Sequence, residues 1–202
     1  APALDCVRYH HAAALRGAAK ALPADSPAYL VYLANLLSGA ADRRETEGES
    51  DAYRRELPLD AVFTHLNGSH PGWAMPAQPQ DGSLKLPQKS QPLSAAVYAE
   101  AVRTLEAQLP QLQPQPEQLG KLLGLLETQL GCFPSSIYPG DGADISLFDH
   151  AKTTAAIAAC LSEYVQANHI TDLRKTLFEQ KNDFCRKGVF LLYTADFSRI
   201  QK

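Results

Sequence analysis

Proline restricts the folding of this chain more than any other feature. Between positions 67 and 93 the sequence NGSHPGWAMPAQPQDGSLKLPQKSQPL carries five prolines and three glycines, with several glutamines among them. Each proline fixes φ and removes an amide donor, so no helix runs through this stretch. It is predicted to be an extended connector. PQLQPQP, 110–116, is a second break, and CFPSSIYPGDGAD, 132–144, is a turn-rich loop with two more prolines.

The segments between these breaks read as helices. Leu4, Val7, His11, Ala14, Ala18 and Leu22 recur at helical spacing, which predicts one amphipathic helix over 3–22. Ser26 is placed to cap a second helix with Pro27 in its first turn and a stripe of Tyr29, Leu33, Leu36 and Ala40. DAVFTHL, 60–66, reads as a short third helix. Ser94 opens a helix with the stripe Tyr98, Val102, Leu105 and Leu109, stopped at Pro110. Leu119, Leu122, Leu123, Leu126 and Leu130 make the next, ending at Gly131. In DISLFDHAKTTAAIAACL, 144–161, Ser146 and Asp149 have the form of a capping box. The helix they start has a predicted inward seam of Leu147, Ala151, Thr154, Ala158, Leu161 and Val165. The small residues Ala155, Ala156, Ala158 and Ala159 would let a neighbouring helix approach closely. GVFLLYTADFS, 188–198, is β-branched and aromatic enough to be a buried strand, and a strand needs a sheet to join.

Composition excludes several classes. With 202 residues, 45% of them apolar and 20% charged, the chain is long enough for one large or two small globular domains. No apolar run approaches the roughly 20 residues that span a bilayer, so no membrane partner is expected. Neither a signal peptide nor an initiator Met opens the chain, which leads us to expect a start inside a domain. Cys6, Cys132, Cys160 and Cys185 show no metal-site spacing and are expected to be reduced thiols in the cytoplasm. From Asp172 onward seven Lys or Arg face four Asp or Glu, which leaves a net charge of −6 before it. That balance argues against a broad nucleic-acid track on this chain alone.

Three groups of residues could carry chemistry. His10 and His11 are adjacent, with His11 on the predicted apolar stripe; they fit a metal ligand or general base, or a helix-contact histidine satisfied by a backbone carbonyl. Asn35 and Asp42 share one face of the second helix and could meet a divalent cation, or Asp42 with Arg43 and Arg44 is a solvated helix end. Asp149, His150, Lys152, Thr153 and Thr154 read as structure: a cap, a solvated lysine and a seam. No phosphate-binding glycine loop or nucleophile elbow is present.

In this order, VRYHHA, AYLVYLANLLSGAADRRE, LPLDAVFTHLNG, FPSSIYPGDGADISLFDHAKTTAAIAACL and FLLYTADFSRIQ resemble the large signature subunit of type III-A CRISPR–Cas (Csm) effector complexes. The resemblance covers nearly the whole chain apart from the proline-rich connector, and DISLFDHAKTTAAIA is its most specific part. It implies a mainly α fold: an HD-domain-like helical bundle, a helical linker region, and a C-terminal strand beginning an α/β palm (ferredoxin-like) domain. Residues 1–50 would be the C-terminal part of an HD-type nuclease domain, 51–187 a helical bridge, and 188–202 the truncated first palm strand. The chain would then be an N-terminal fragment of the subunit.

For the full subunit the resemblance implies a target-RNA-activated, metal-dependent single-stranded DNA nuclease in the HD domain. It also implies a cyclic oligoadenylate synthetase using ATP in the palm domains. A divalent metal (Mn, Ni or Mg) would serve the nuclease. The implied partners are guide RNA, other Csm-type subunits, target RNA and single-stranded DNA, in a prokaryotic cytoplasm. His10 and His11 carry over as nuclease-site residues and metal ligands. Asn35 stands where the family has a metal-binding Asp, and an amide brings no charge to offset a divalent ion. The family's His-Asp dyad has no counterpart before Val7, and no GGDD motif occurs, so this stretch alone is expected to be inactive. Two alternatives stay open: a catalytically dead helical scaffold for assembly, and a stand-alone HD-type nucleotide phosphohydrolase.

Overall fold

The computed structural model describes residues 2–42, 55–62, 72–77, 85–112, 115–136 and 143–193. It is mainly helical, and it divides into two compact units, one of Ala1–Leu36 with Ala155–Lys202 and one of Leu37–Thr154. Among the described residues no helix is long and apolar enough to cross a membrane. All four cysteines are free thiols.

The first unit begins with α1 (Pro2–Arg8) and α2 (Ala12–Ala18). The single helix expected over 3–22 is therefore broken at Tyr9–His11. Local bonding explains the break: His10 Nδ1 lies 2.6 Å from the Val7 carbonyl, an acceptor the continuing helix would have used. His11 instead takes extended backbone, φ −100° and ψ 145°, and caps α2. The apolar stripe fails with the helix, since Val7 is 71% exposed and His11 and Ala14 are exposed, while Leu15 is buried.

α3 (Ala28–Asp42) starts as expected. The Ala28 amide donates to Ser26 Oγ at 3.4 Å and the Tyr29 amide to the Ser26 carbonyl at 3.2 Å, so Ser26 serves as the cap. Tyr29, Tyr32 and Leu33 are buried, whereas Ala40, expected on the same stripe, is exposed. The unit also holds the later part of α6 (Leu147–Ala167), a π-helical turn (Arg174–Glu179) and α7 (Lys181–Phe184). Leu161, Val165, Leu173, Leu177 and Phe184 complete its core. Each fully buried leucine there contributes about 1.5–3 kcal/mol. After α7 the described part of the expected strand, 188–193, forms no strand. Leu191, Leu192 and Tyr193 are 85%, 89% and 79% exposed, so among the described residues no backbone supplies the ladder a strand requires. Residues 194–198 of that expectation lie outside the described residues.

In the second unit the described parts of the proline-rich connector, 72–77 and 85–93, are extended, as its composition requires, and they pair with each other. β1 (Trp73–Ala74) and β2 (Gln88–Lys89) are antiparallel, with Trp73 opposite Lys89 and Ala74 opposite Gln88. Pro76 and Pro87 stand just outside the ladder, where a missing amide donor costs no cross-strand bond. Asp60 bridges to Ala74, so the described start of the helix expected over 60–66 is extended backbone instead. The Ala61 amide reaches the Trp73 carbonyl at 3.0 Å and the Met75 amide the Leu59 carbonyl at 2.8 Å. These non-local bonds hold Asp60 and Ala61 in extended backbone; residues 63–66 of the expected helix lie outside the described residues.

α4 (Ala95–Gln108) and α5 (Leu119–Leu130) follow, separated by the second proline break. Ala101 is the buried residue of α4, and Val102, expected on its inner stripe, is 52% exposed. Gly131 ends α5 with φ −67°, so it needs none of glycine's left-handed freedom. The turn-rich loop is closed by a bridge between Pro134 and Ser146, and α6 begins directly after it.

Candidate functional site

His10, His11 and Asn35 all belong to the first unit, and the fold brings them together. Tyr29 Oη donates to the Ala19 carbonyl at 3.3 Å, and Asn35 Nδ2 donates to the His10 carbonyl at 3.4 Å. Rising numbers on α3 meet falling numbers on α2, so the two helices run antiparallel. Asn35 therefore meets the backbone at the histidine pair.

The histidine rings lie against each other, centroids 4.0 Å apart and tilted by 43°. The His10 bond to the Val7 carbonyl sets a tautomer, because a carbonyl accepts only: Nδ1 carries the proton, and Nε2 is left with its lone pair. His10 is half-buried and His11 exposed. Cys6 sits one turn earlier on α1, its thiol pKa pushed up by burial and then by the neighbouring Asp5 carboxylate.

Two imidazoles sharing a tetrahedral ion aim one nitrogen each at a common point about 2.0–2.1 Å away. Here the rings lie tilted across one another, and the nearby amide is turned to a backbone carbonyl. Among the described residues no group of three or more His, Cys, Asp or Glu could hold a metal ion. His10, His11 and Asn35 by themselves do not fit a divalent cation, since they supply no carboxylate to offset its charge. What they can do is hold and pass a proton at His10 Nε2.

The other expected groups are structural. Ser146 Oγ accepts from the Asp149 amide at 3.0 Å and donates to Asp149 Oδ2 at 2.6 Å. That pair starts α6 as a cap of the expected type. Lys152 is exposed with Nζ 5.6 Å from the centre of the Phe148 ring, and Thr153 is exposed. On the expected inward seam Leu161 and Val165 are buried and Ala151 is exposed; Ala155, Ala156 and Ala159, expected to admit a neighbouring helix, are exposed as well. Asp42 closes α3, and Arg43 and Arg44 lie outside the described residues.

Two contacts were invisible in the sequence because their partners lie far apart along it. Ser38, buried on α3, lies 3.4 Å from His150 Nδ1 and donates to the His150 carbonyl at 3.3 Å. Arg174 donates from Nε to Tyr29 Oη at 3.1 Å, from Nη2 to the Leu22 carbonyl, and from its backbone amide to the Ala24 carbonyl at 2.9 Å.

No family model matches the chain. Curated relatives do. The chain is 34% identical to the CRISPR system single-strand-specific deoxyribonuclease Cas10/Csm1 (subtype III-A) of Mycobacterium tuberculosis, over 98% of this chain and 25% of that protein. It is 30% identical to the protein of the same description from Enterococcus italicus, over 98% of this chain and 28% of that one. The Streptococcus thermophilus counterpart is 29% identical, over 98% and 27%. Among solved structures, a Csm1–Csm4 cassette in complex with cA4 is 26% identical with a TM-score of 0.49, over 66% of this chain and 16% of that one. Csm1 of T. onnurineus is 27% identical with a TM-score of 0.48, over 66% and 16%. The three curated relatives share one description, and it sets the class: proteins of subtype III-A CRISPR systems. Within that class the chain belongs to the Cas10/Csm1 family. It spans about a quarter of the length of the curated relatives it matches.

Proposed function

We propose that this chain contributes to a single-strand-specific deoxyribonuclease subunit of a type III-A CRISPR complex. The observation that carries this reading is the 34% identity, over 98% of the chain, to a relative so described. In this reading residues 1–50 belong to an HD-type nuclease domain, 51–187 form a helical bridge, and 188–202 enter a palm domain. The exposed Phe190–Tyr193 segment supports the last assignment, because an apolar extended stretch is stabilised by joining a sheet. The full subunit uses a divalent metal for DNA cleavage and ATP for cyclic oligoadenylate synthesis. It works with guide RNA, target RNA and sister Csm subunits in the prokaryotic cytoplasm.

His10 and His11 are the residues of this chain assigned to the nuclease site. The carboxylates such a site needs come from residues outside those described. The test is cleavage of labelled single-stranded DNA by the full subunit in its target-RNA-bound complex with Mn2+. His10→Ala and His11→Ala are each expected to lower the rate at least ~100-fold, the low end for a lost general acid–base group. Unchanged rates in both variants would remove the pair from the chemistry.

A second reading, an assembly scaffold without nuclease activity, is favoured by one contact. The Asn35 amide is committed to the His10 carbonyl at 3.4 Å, where a ligand carboxylate would point at the ion instead. Wild-type complex that assembles on guide RNA yet leaves single-stranded DNA intact would select this reading.

A further inference from the structure

The antiparallel pair α2–α3 is held at both ends, and the end away from the histidines is held from far along the chain. At one end Asn35 meets the His10 carbonyl. At the other, Arg174 donates to the carbonyls of Leu22 and Ala24 and to Tyr29 Oη, and Tyr29 in turn donates to the Ala19 carbonyl. Ala19 is the C-cap of α2, so the guanidinium stands where the orphaned carbonyls and the negative end of the helix dipole favour a cation.

The turn that presents Arg174 is a π-helix, a rare conformation that recurs at functional positions. It also turns Phe178 onto Tyr32 and Tyr29, at ring distances of 5.4 and 6.1 Å. Lys181, just after it, donates to Tyr32 Oη at 3.1 Å. The registry of α3 against α2 is thus set from residues 174–181.

We propose that Arg174 is a positioning residue for the His10–His11 pair, acting through Tyr29 and the end of α2. The proposal rests on the nuclease reading above for its functional consequence, and on geometry for the positioning itself. α2 is a rod of seven residues, about 10 Å long. Its buried anchor is Leu15, five residues from His10. If the Arg174 end is released, a tilt of roughly 10° about Leu15 moves His10 by about 1 Å, at a rise of 1.5 Å per residue. A misplacement of that size costs on the order of 10²-fold in a positioned reaction.

The test uses the full subunit with 15N-labelled histidine and reads the His10 tautomer from ring proton–nitrogen correlations. Wild type shows Nδ1 protonated at His10, as the Val7 contact requires. Arg174→Met and Tyr29→Phe shift His10 toward the Nε2-protonated form and lower single-stranded DNA cleavage about 10- to 100-fold; Arg174→Lys gives a smaller loss, since one ammonium cannot reproduce a fork. Tyr29→Phe removes a single hydroxyl and serves if Arg174→Met does not fold. Phe184→Leu, a core change elsewhere in the same unit, lowers the melting temperature and leaves the tautomer in place.

An unchanged His10 tautomer in both Arg174→Met and Tyr29→Phe overturns the proposal. So does an equal tautomer shift in Phe184→Leu, which would make Arg174 a stabilising residue and no more. A tautomer shift in a subunit that cleaves no DNA, with or without His10, keeps the positioning and sinks the nuclease reading instead.

Discussion

Asn35 donates a hydrogen to the His10 carbonyl, and an aspartate in its place has none to give. Asn35→Asp would set a carboxylate against a carbonyl oxygen, and in metal-free buffer it should destabilise the first unit by roughly 1 kcal/mol. A divalent ion bound there reverses the sign, because ligand at 100 times its Kd adds about 2.7 kcal/mol. Thermal melting of Asn35→Asp with and without Mn2+ separates the cases. A melting temperature that Mn2+ leaves in place means position 35 faces no ion. The partner of Asn35 could not be read from the sequence, since it is a backbone carbonyl with no residue signature. His11 shows the same limit: periodicity put it inward, and one side-chain bond at His10 turned the backbone and put it out. Tyr98 in the second unit carries the clearest pH dependence. Burial raises its phenol pKa above tyrosine's usual value of about 10, and its hydroxyl donates to the Arg55 carbonyl at 3.0 Å. The protonated form is the folded one, so its stabilisation is complete below pH 10 and fades as pH rises through the folded pKa. Tyr98→Phe should flatten that alkaline loss of stability in a melting series from about pH 8 to 11. A wild-type curve already flat there would mean the phenol titrates alike folded and unfolded.

α6 shows which features of an element are legible in a sequence. Its start was, because a capping box is chemistry within four residues: Ser146 and Asp149 bond each other as the S-x-x-D pattern requires. Ser146→Ala is expected to cost about 1 kcal/mol, read by urea denaturation of the protein. A loss below about 0.3 kcal/mol would show that the Pro134–Ser146 bridge holds the helix start without the cap. The buried face of α6 was legible in part. Leu161 and Val165 are inside, but small residues are compatible with either face, so Ala151 and Ala155 could not be assigned by size. Thr154 was expected on the seam, and its Oγ1 is buried with no hydrogen-bond partner among the described residues. A buried hydroxyl left unpaired is destabilising by about 1–3 kcal/mol, so Thr154→Val, which keeps the shape, should leave stability unchanged or raise it by about 1 kcal/mol. A clear loss would reveal a partner for that hydroxyl in the folded protein. The proline-rich connector gives the opposite lesson. Five prolines forbade a helix, but the register of Trp73 on Lys89 depends on which distant backbone comes alongside, and no local pattern encodes that.

For the molecule as a whole, the division into units crosses the sequence order. The first unit joins Ala1–Leu36 to Ala155–Lys202, with the whole proline-rich connector inside the second. Reading breaks along the chain placed the starts of α3, α4 and α6 but could not show that positions 22 and 174 share one bond network. The net charge of −3 gives a chain of this size no broad electrostatic hold on nucleic acid. Under the proposed function, nucleic-acid contact belongs to the full subunit and its partners; the curated relatives are about four times as long as this chain. A mass measurement on the native assembly tests that assignment. Isolated from its own cell, the assembly containing this chain should run as a large particle holding a short RNA and several smaller subunits. If RNA holds those subunits together, ribonuclease treatment should lower the mass by the RNA and then by the subunits it holds. A particle whose mass ribonuclease leaves intact, and which yields no RNA on extraction, would place this chain outside an RNA-guided complex despite its family. The exposed Leu191–Tyr193 segment should become protected from hydrogen exchange within the intact particle, as a paired strand does.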